Sequence, residues 1–532
     1  MNNNTLSPPQ GDLLAPQADH TVESLYNRLT PAREPFLIEG RDCALYTIPK
    51  ALPPQGHTAA SPLAKPWQSI GALCVTTLAS KLLLTMLPPE RKPFRMVLDE
   101  KFLKEIPDSE KGEWDLALSK YENRVVSSLE SRGVRTAAYE AFLQYTIVGN
   151  CLLYIGKKKC KVYPLSNYVV ERDGAGELVR IIVNEKVGHN ALPASVREKA
   201  EQKIGKDACT EKSHDMYTHV YQDCESKNWK MEQWVCGFKI EETVTDYGKR
   251  KIPWIVLRSS MVAGEDYGRS RVSEYLGDFR ACSVLTRSIV CGAAVAAKVI
   301  FLRKPGSSTN GKDLQEADIG GLVDGNADDI STLKLDKYPD FQVAMQTLEM
   351  IEKRLTFAFL VDSAVQRQAE RVTAEEIRTI AKLLTDALGG SYTILNETFL
   401  IPLLDADITQ QEAEGTLPKL PKNSVRPTAV VGLDALGRNH ELGRMMQFAS
   451  IIAQNFGPEA ISKVINLSEF SRRAAAALDI ENSGLIATEQ EIAQKDAAMQ
   501  QAAVANNLAP HLIKAATANQ SPAASPAGVP AQ

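Results

Sequence analysis

The sequence predicts an α+β chain, mainly α, with its strands gathered in the first half and its longest helices in the second. Three observations lead there. Between residues 150 and 260 the apolar runs are short, β-branched and separated by turn residues. From Tyr267 to Leu403 the apolar spacing is helical over long stretches, broken by one Gly/Asp-rich excursion and one polar loop. The chain has 532 residues, 44% hydrophobic and 24% charged, an ordinary globular balance with length for more than one core.

Taken in order, residues 1–20 are polar and Pro-containing and read as a disordered arm. Helical spacing runs from Val22 to about Tyr46 and ends before Pro49. Trp67–Leu87 is a strong apolar helix halted by Pro88-Pro89. Amphipathic helices are expected over Gly112–Arg132 and Arg135–Val148. Strands follow at CLLYIG and KVYPL. The segment YVVERDGAGELVRIIV is a hairpin signal around Asp173-Gly174 and Gly176. His189–Ala208 looks helical; MYTHVYQD and KMEQWVCGFKI read as one further hairpin, and WIVLRSS as a buried strand.

Ser270–Leu302 reads as one helix of 33 residues, about 50 Å long at 1.5 Å per residue. Its second half is crowded with Gly292, Ala293, Ala294, Ala296 and Ala297, which permit close approach by a neighbour. Arg303–Asp340 is a small glycine-rich module with β-prone GGLV and STLKL. FQVAMQTLEMIEKRLTFAF is a second helix, and LVDSAVQRQAERVT is a polar loop. A third helix extends from AEEIRTI to IPLL. From Val425 the chain is expected to be helical again, with a disordered tail over 511–532.

Chemistry is sparse. The net charge of −4 argues against a protein that wraps DNA, since stable duplex binding rests on neutralised phosphates. Nine scattered cysteines form no disulfide framework. The first twenty residues have no charged or apolar leader pattern. The apolar stretches Gly71–Leu87 and Ile289–Leu302 are short and contain Lys81 and Lys298, so both read as buried helices and not membrane spans. Gly306–Lys312 has phosphate-loop spacing, but Asp313 stands where a Ser or Thr should ligate Mg²⁺. It is also expected to follow a helix in place of a strand, with no apolar helix after it; a Gly/Ser turn is the simpler reading. His214 and His219 are five apart and match no zinc motif. Gly174-Ala175-Gly176 is a hairpin turn. Asp324, Asp328 and Asp329, and the run Lys157-Lys158-Lys159 with Lys161, read as solvated loops. No catalytic residues, metal or cofactor are expected.

Several segments resemble the portal proteins, the head-to-tail connectors of short-tailed, podovirus-type bacteriophages. They are ALYTIP, PWQSIGALCVTTLASKLLLTMLPP, SNYVVERDGAGELV, GEDYGRSRVSEYLGDFR and SAVQRQAERVTAEEIR followed by ALGGSYTILN. Each is weak alone; their order and spacing are specific. The resemblance implies a dodecameric ring subunit at one capsid vertex, without enzymatic activity. It implies a wing over 21–266 and 374–430, stem helices over 267–302 and 340–359, a clip over 303–339, a channel loop over 360–373 and a helical crown over 431–510. Its partners would be further copies of itself, double-stranded DNA, the terminase packaging motor, a tail adaptor, scaffolding and capsid proteins and internal core proteins, with no membrane. Gln366, Arg367, Gln368 and Arg371 would meet DNA; Lys304, Ser307, Asn310, Lys312 and Asp324 would dock motor and adaptor.

Physical estimates agree with that resemblance. Twelve helices of about 10 Å diameter need a circumference of roughly 120 Å, leaving a lumen near 28 Å for a duplex of about 20 Å. Residues 303–340 hold five Lys or Arg against eight Asp or Glu, a wall that repels phosphate. The competing readings are a DNA-packaging ATPase or nuclease, and a cytoplasmic helical scaffold with no nucleic-acid role.

Overall fold

Helix α1 (Val22–Tyr46) starts at Thr21, whose hydroxyl accepts from the Ser24 N–H at 3.3 Å. That satisfies one of the orphan donors of a helix N-terminus. Pro31 and Pro35 stand inside α1, against their intrinsic cost. Tertiary contacts override it. Buried Arg33 donates to the Tyr26 hydroxyl and to the carbonyls of Ser166 and Tyr168 at 2.9, 3.0 and 3.1 Å. The computed structural model describes residues 21–58, 60–89, 92–105, 107–204, 213–249, 252–296, 300–318, 321–333, 338–361, 394–420, 425–429, 446–452, 454–455 and 470. The chain divides into two units, 1–111 with 117–433, and 112–116 with 434–532. The proposed terminal arm and tail, and nearly all of the proposed crown, lie outside the described residues; within the second unit residues 446–452 are helical.

Helix α2 (Ile70–Met86) begins three residues later than the sequence suggests, because Gln68 organises its start. The Gln68 amide accepts from Gly71 N–H at 2.7 Å and donates to the Tyr46 carbonyl at 2.6 Å. Strand β1 (Phe94–Leu98) was not anticipated. Helices α3 (Glu100–Glu105), α4 (Asp108–Ser131) and α5 (Val134–Val148) follow. Gly149 ends α5 at φ 81°, and a Cβ there would meet the Arg269 and Ser270 backbone at 2.7 Å, so only glycine fits.

Strands β2 (Asn150–Ile155), β3 (Cys160–Tyr163) and β9 (Trp254–Arg258) form a sheet of order β3-β2-β9. Strands β4 (Tyr168–Arg172), β5 (Leu178–Gly188), β6 (Ser213–Gln222), β7 (Trp229–Val235) and β8 (Phe238–Gly248) form an antiparallel meander. Asp173 closes the β4–β5 hairpin, its Oδ1 accepting from Ala175 and Glu177 N–H at 3.0 and 2.8 Å. Two departures from expectation occur here. Helix α6 (Ala194–Ile204) starts later than expected, since Pro193 leaves His189–Ala191 as a separate 3₁₀ turn. The segment KMEQWVCGFKI is not one strand: Cys236 and Gly237, at φ 53° and 84°, make a tight turn between β7 and β8.

In the main core α5 packs on α1, α2 and β2, and the later helix α11 (Ile401–Glu414) packs on β2 and β9. Phe142 and Phe399 meet edge to face at 5.0 Å in it. At its border Asp407, fully buried, pairs with Arg132 at 3.2 Å and accepts from Ser128 at 3.0 Å and from Gln411 at 2.5 Å.

The long helix expected over Ser270–Leu302 is corrected. A one-turn helix α7 (Arg271–Glu274) and then α8 (Leu276–Ala296) take its place, and Ile300–Arg303 is strand β10. The strand forms because it pairs antiparallel with β11 (Ile330–Leu333). Between them lies a six-residue helix, α9 (Gly311–Glu316). Helix α10 (Tyr338–Ala358) returns alongside α8. Of the expected helix at 374–403, the described part starts at 394; it has a π turn at Asn396–Leu400 and continues as α11 to Glu414. The helix expected from Val425 is instead strand β12 (Val425–Ala429), paired antiparallel with β1. Pro427 within it is a poor residue for a helix interior and is tolerated at a sheet edge. Among the described residues no helix is long and apolar enough to cross a membrane.

Candidate functional site

The α8–α10 pair and the small module at its tip form the candidate site. The pair is anchored at its base. Asn150 donates to the Gly268 carbonyl at 2.7 Å and accepts from Gly268 N–H at 2.8 Å. The buried Tyr267 hydroxyl accepts from Val170 N–H at 3.0 Å. The two helices run antiparallel. Arg354 near the end of α10 donates twice to Asp278 near the start of α8, at 2.8 and 2.6 Å. At the far end Gly292 of α8 faces Phe341 of α10. Tyr275, Phe279 and Phe359 close the base with edge-on ring contacts at 5.7 and 5.5 Å.

The outer faces of this pair are unusually apolar. Phe357 is 80% and Met350 69% exposed, and Val284, Val290, Val343 and Met345 are also exposed. Exposed apolar side chains gathered on two neighbouring helices favour association.

At the tip, Lys304-Pro305-Gly306-Ser307 is a tight turn: Ser307 N–H donates to the Lys304 carbonyl at 3.2 Å, with Gly306 at φ 81°. Of the five expected docking residues, Lys304, Asn310, Lys312 and Asp324 are exposed and Ser307 is half-buried. Ser307 and Asn310 have side chains hydrogen-bonded within the module. The Ser307 hydroxyl accepts from Arg303 Nε at 2.8 Å. Asn310 caps α9, its Oδ1 accepting from Lys312 N–H at 3.2 Å while its Nδ2 donates to Asp313 at 3.0 Å. Buried Thr309, not among those five, is the module's pin: its hydroxyl accepts from Asn326 N–H at 2.9 Å and reaches Asp329 at 3.4 Å.

The phosphate-loop context needs correcting. Gly306–Lys312 does follow a strand, β10, and a short helix does start at Gly311. The loop's donors are nonetheless committed to carboxylates, since Ser308 and Thr309 reach Asp329 and Asn310 bonds Asp313. Carboxylates already filling these positions repel phosphate.

Helix α10 is followed by Leu360, whose φ of 59° is rare for a non-glycine residue. Val361 and Leu360 N–H donate back to Thr356 and Phe357 carbonyls at 2.7 and 3.1 Å, a left-handed helix cap. The buried Lys81 ammonium donates to the Leu360 carbonyl. Gln366, Arg367, Gln368 and Arg371 lie outside the described residues.

Among the described residues no group of three His, Cys, Asp or Glu side chains could hold a metal ion. His214 and His219 serve different partners. His219 bonds Glu232 at 3.1 Å and His214 lies 3.3 Å from His189. Lys157, Lys158 and Lys159 are exposed in the β2–β3 turn, while Lys161 bonds Glu185.

Residues 19–486 match the family described as the bacteriophage head to tail connecting protein. The chain belongs to that family. It is 36% identical over 486 residues to the portal protein of Escherichia phage T7, covering 90% of each chain. It is 36% identical over 487 residues to the portal protein of Enterobacteria phage T3, again 90% of each. To the portal protein of Enterobacteria phage SP6 it is 28% identical over 489 residues, 90% of this chain and 93% of that one. Among solved structures it is similar to a chain in the neck of an empty GTA particle, with TM-score 0.38, 11% identity, and coverage of 71% of this chain and 86% of that one. The chain is thus a head-to-tail connector subunit of the portal type, a virion component with a mixed α+β fold.

Proposed function

We propose that twelve copies of this connector form a ring at one capsid vertex, through which double-stranded DNA enters during packaging and leaves at ejection. The carrying observation is the unbroken family match over residues 19–486 together with near-full-length similarity to portal proteins. The exposed apolar faces of α8 and α10 support side-by-side packing of neighbouring stems. The tip module, with an excess of acidic side chains over 303–340, suits a passage that DNA slides through.

In this reading residues 303–339 dock the terminase motor and then the tail adaptor, through exposed Lys304, Lys312 and Asp324. Residues 360–373 project into the channel. Residues 21–266 and 374–430 form the wing, facing scaffolding, capsid and internal core proteins, and 431–510 the crown. The subunit carries no enzymatic activity and takes no cofactor; ATP is hydrolysed by the motor.

The test is electron microscopy of the purified protein with a parallel ATPase assay. Twelvefold rings with a central opening and background hydrolysis are expected. A monomer at micromolar concentration, or ATP turnover that disappears in Lys312→Ala, defeats the proposal.

A further inference from the structure

Cys236 packs against the cluster of Leu192, Val196, Val235 and Ile240 and ends a line of four ionisable side chains that the connector reading does not use. Cys236 occupies the first position of the β7–β8 turn, at φ 53°, and is half-buried. Its Sγ lies 3.5 Å from His214 Nδ1. The other ring nitrogen of His214, Nε2, lies 3.3 Å from His189 Nδ1. His189 Nε2 lies 3.1 Å from Glu201 Oε1. Both histidines are buried, while the thiol end borders the surface turn.

The carboxylate fixes the direction of this line. Ionised Glu201 only accepts, so His189 carries its proton on Nε2 and accepts at Nδ1. His214 must then donate from Nε2, which leaves its Nδ1 bare and facing the Cys236 thiol. A single metal does not fit: His214 turns different nitrogens toward Cys236 and His189, and zinc needs all donors within about 2.0–2.3 Å of one point.

We propose that Cys236 is a nucleophilic modification site for a small disulfide, with His214 as its base and His189 and Glu201 as positioning residues. The Cys236 proton passes to His214 Nδ1. The Sγ electron pair forms a new S–S bond with one sulfur of the disulfide, and the old S–S bond breaks. Its electron pair leaves with the second sulfur, which takes the proton back from His214 as a thiol. No other oxidant is required. The charge that His214 carries during the step is stabilised by its donation to His189, and through His189 by Glu201.

The other cysteines supply internal references. Burial pushes the Cys160 and Cys282 thiols up to about 11 and Cys43 to about 12, which suppresses their thiolates. Cys224 and Cys291 are exposed.

The test uses the full-length assembled protein and the disulfide of 2-mercaptoethanol, with mixed disulfides followed by peptide mass spectrometry. At neutral pH Cys236 should react at least about tenfold faster than Cys224, which lies in the β6–β7 turn away from the α8 faces proposed to pack in the ring. That advantage should vanish in His214→Gln while Cys224 reacts as before. Glu201→Gln, which keeps an acceptor and removes the charge, should lower the advantage and move the midpoint of its pH profile; a purely structural Glu201 would leave the midpoint in place. A Cys236 rate no higher than that of Cys224 in the unsubstituted protein overturns the proposal without any variant that could misfold. An advantage that survives His214→Gln overturns the role of the histidine.

Discussion

The ring of Phe341 lies directly over Gly292: a Cβ added at Gly292 would stand 2.3 and 2.4 Å from two ring carbons. This contact sets the spacing of α8 and α10 at the end that carries the tip module. Arg354 and Asp278 set it at the other. A small residue on one helix and an aromatic on the other thus form a knob and hole, with the polar clamp some distance back along the pair.

Gly292→Ala should therefore destabilise the protein by about 1–3 kcal/mol through overpacking. Phe341→Leu alone should be milder, and Phe341→Leu in the Gly292→Ala background should recover part of the loss. Chemical denaturation of the four proteins measures the coupling. Additive losses would mean that the two side chains do not meet.

Asp407 and Arg132 offer an asymmetric test of a buried pair. Burial raises the Asp407 carboxyl above its ordinary range, and the Arg132 charge, with hydrogen bonds from Gln411 and Ser128, opposes that. Arg132→Ala leaves the carboxylate unpaired and should cost about 3–5 kcal/mol. Adding Asp407→Asn should restore a good part of it, because a neutral amide tolerates burial better. Denaturation midpoints decide; a double variant less stable than Arg132→Ala alone refutes the account.

Legibility in the sequence followed the range of each interaction. The α2 stop at Pro88-Pro89 and the β4–β5 hairpin at Asp173 are local, and both are visible in the residues themselves. Among the described residues β1 and β12 pair only with each other, and over three hundred residues separate them. The run Ile289–Leu302 is apolar but for Lys298, so periodicity does not separate helix from strand in it; pairing with β11 makes Ile300–Arg303 a strand. Cys236-Gly237 is hidden inside WVCGF because a two-residue turn leaves no gap in an apolar pattern. At the tip, Lys304, Lys312 and Asp324 are exposed as their charge suggests. The pinning role of Thr309 needed the loop brought back on itself.

His219 and Glu232 give a pH prediction. Burial lowers the His219 pKa below its ordinary value, outweighing its hydrogen bond to Glu232. Burial works to raise Glu232, but hydrogen bonds from His219 and Lys239 override it and hold the carboxyl at about 2. Both folded values lie below the unfolded ones, so on acidification the unfolded chain binds protons first and stability falls. The His219 contribution is full above its ordinary value of 6.5 and is lost below it; that of Glu232 is full above 4.5 and is lost toward about 2. His219→Gln should flatten the fall of the melting temperature as the pH drops below 6.5. A profile in that range identical to that of the unsubstituted protein would show that His219 does not contribute.

The proposal that residues 360–373 project into the channel is tested by Arg367→Ala with Arg371→Ala. These arginines are offset by Asp362 and Glu370, giving a loop of zero net charge that suits transient phosphate contact. Normal rings with impaired packaging or leaking genomes are expected. Broken rings would assign the arginines to subunit contacts, and unchanged packaging and retention would remove them from the mechanism.

The tip module separates docking chemistry from module stability, and the two can be tested apart. Lys304 and Lys312 are exposed, whereas Thr309 is buried and holds the Asn326 N–H. Lys304→Glu with Lys312→Glu changes the surface charge by four units per subunit and touches no internal hydrogen bond. Rings should form as before, while the tail adaptor and the terminase bind more weakly, with a loss that grows as salt is lowered because like charges then repel over a longer range. Thr309→Val keeps the shape and unpairs the Asn326 N–H, at a cost of about 1–3 kcal/mol confined to the module. Faster hydrogen exchange over residues 303–333 should mark that variant, with α8 and α10 unchanged. Pull-down of adaptor and terminase by rings of each variant reads the outcome. Undiminished binding by the charge-reversed rings would move docking away from this face, and loss of rings in either variant would make the module part of ring assembly.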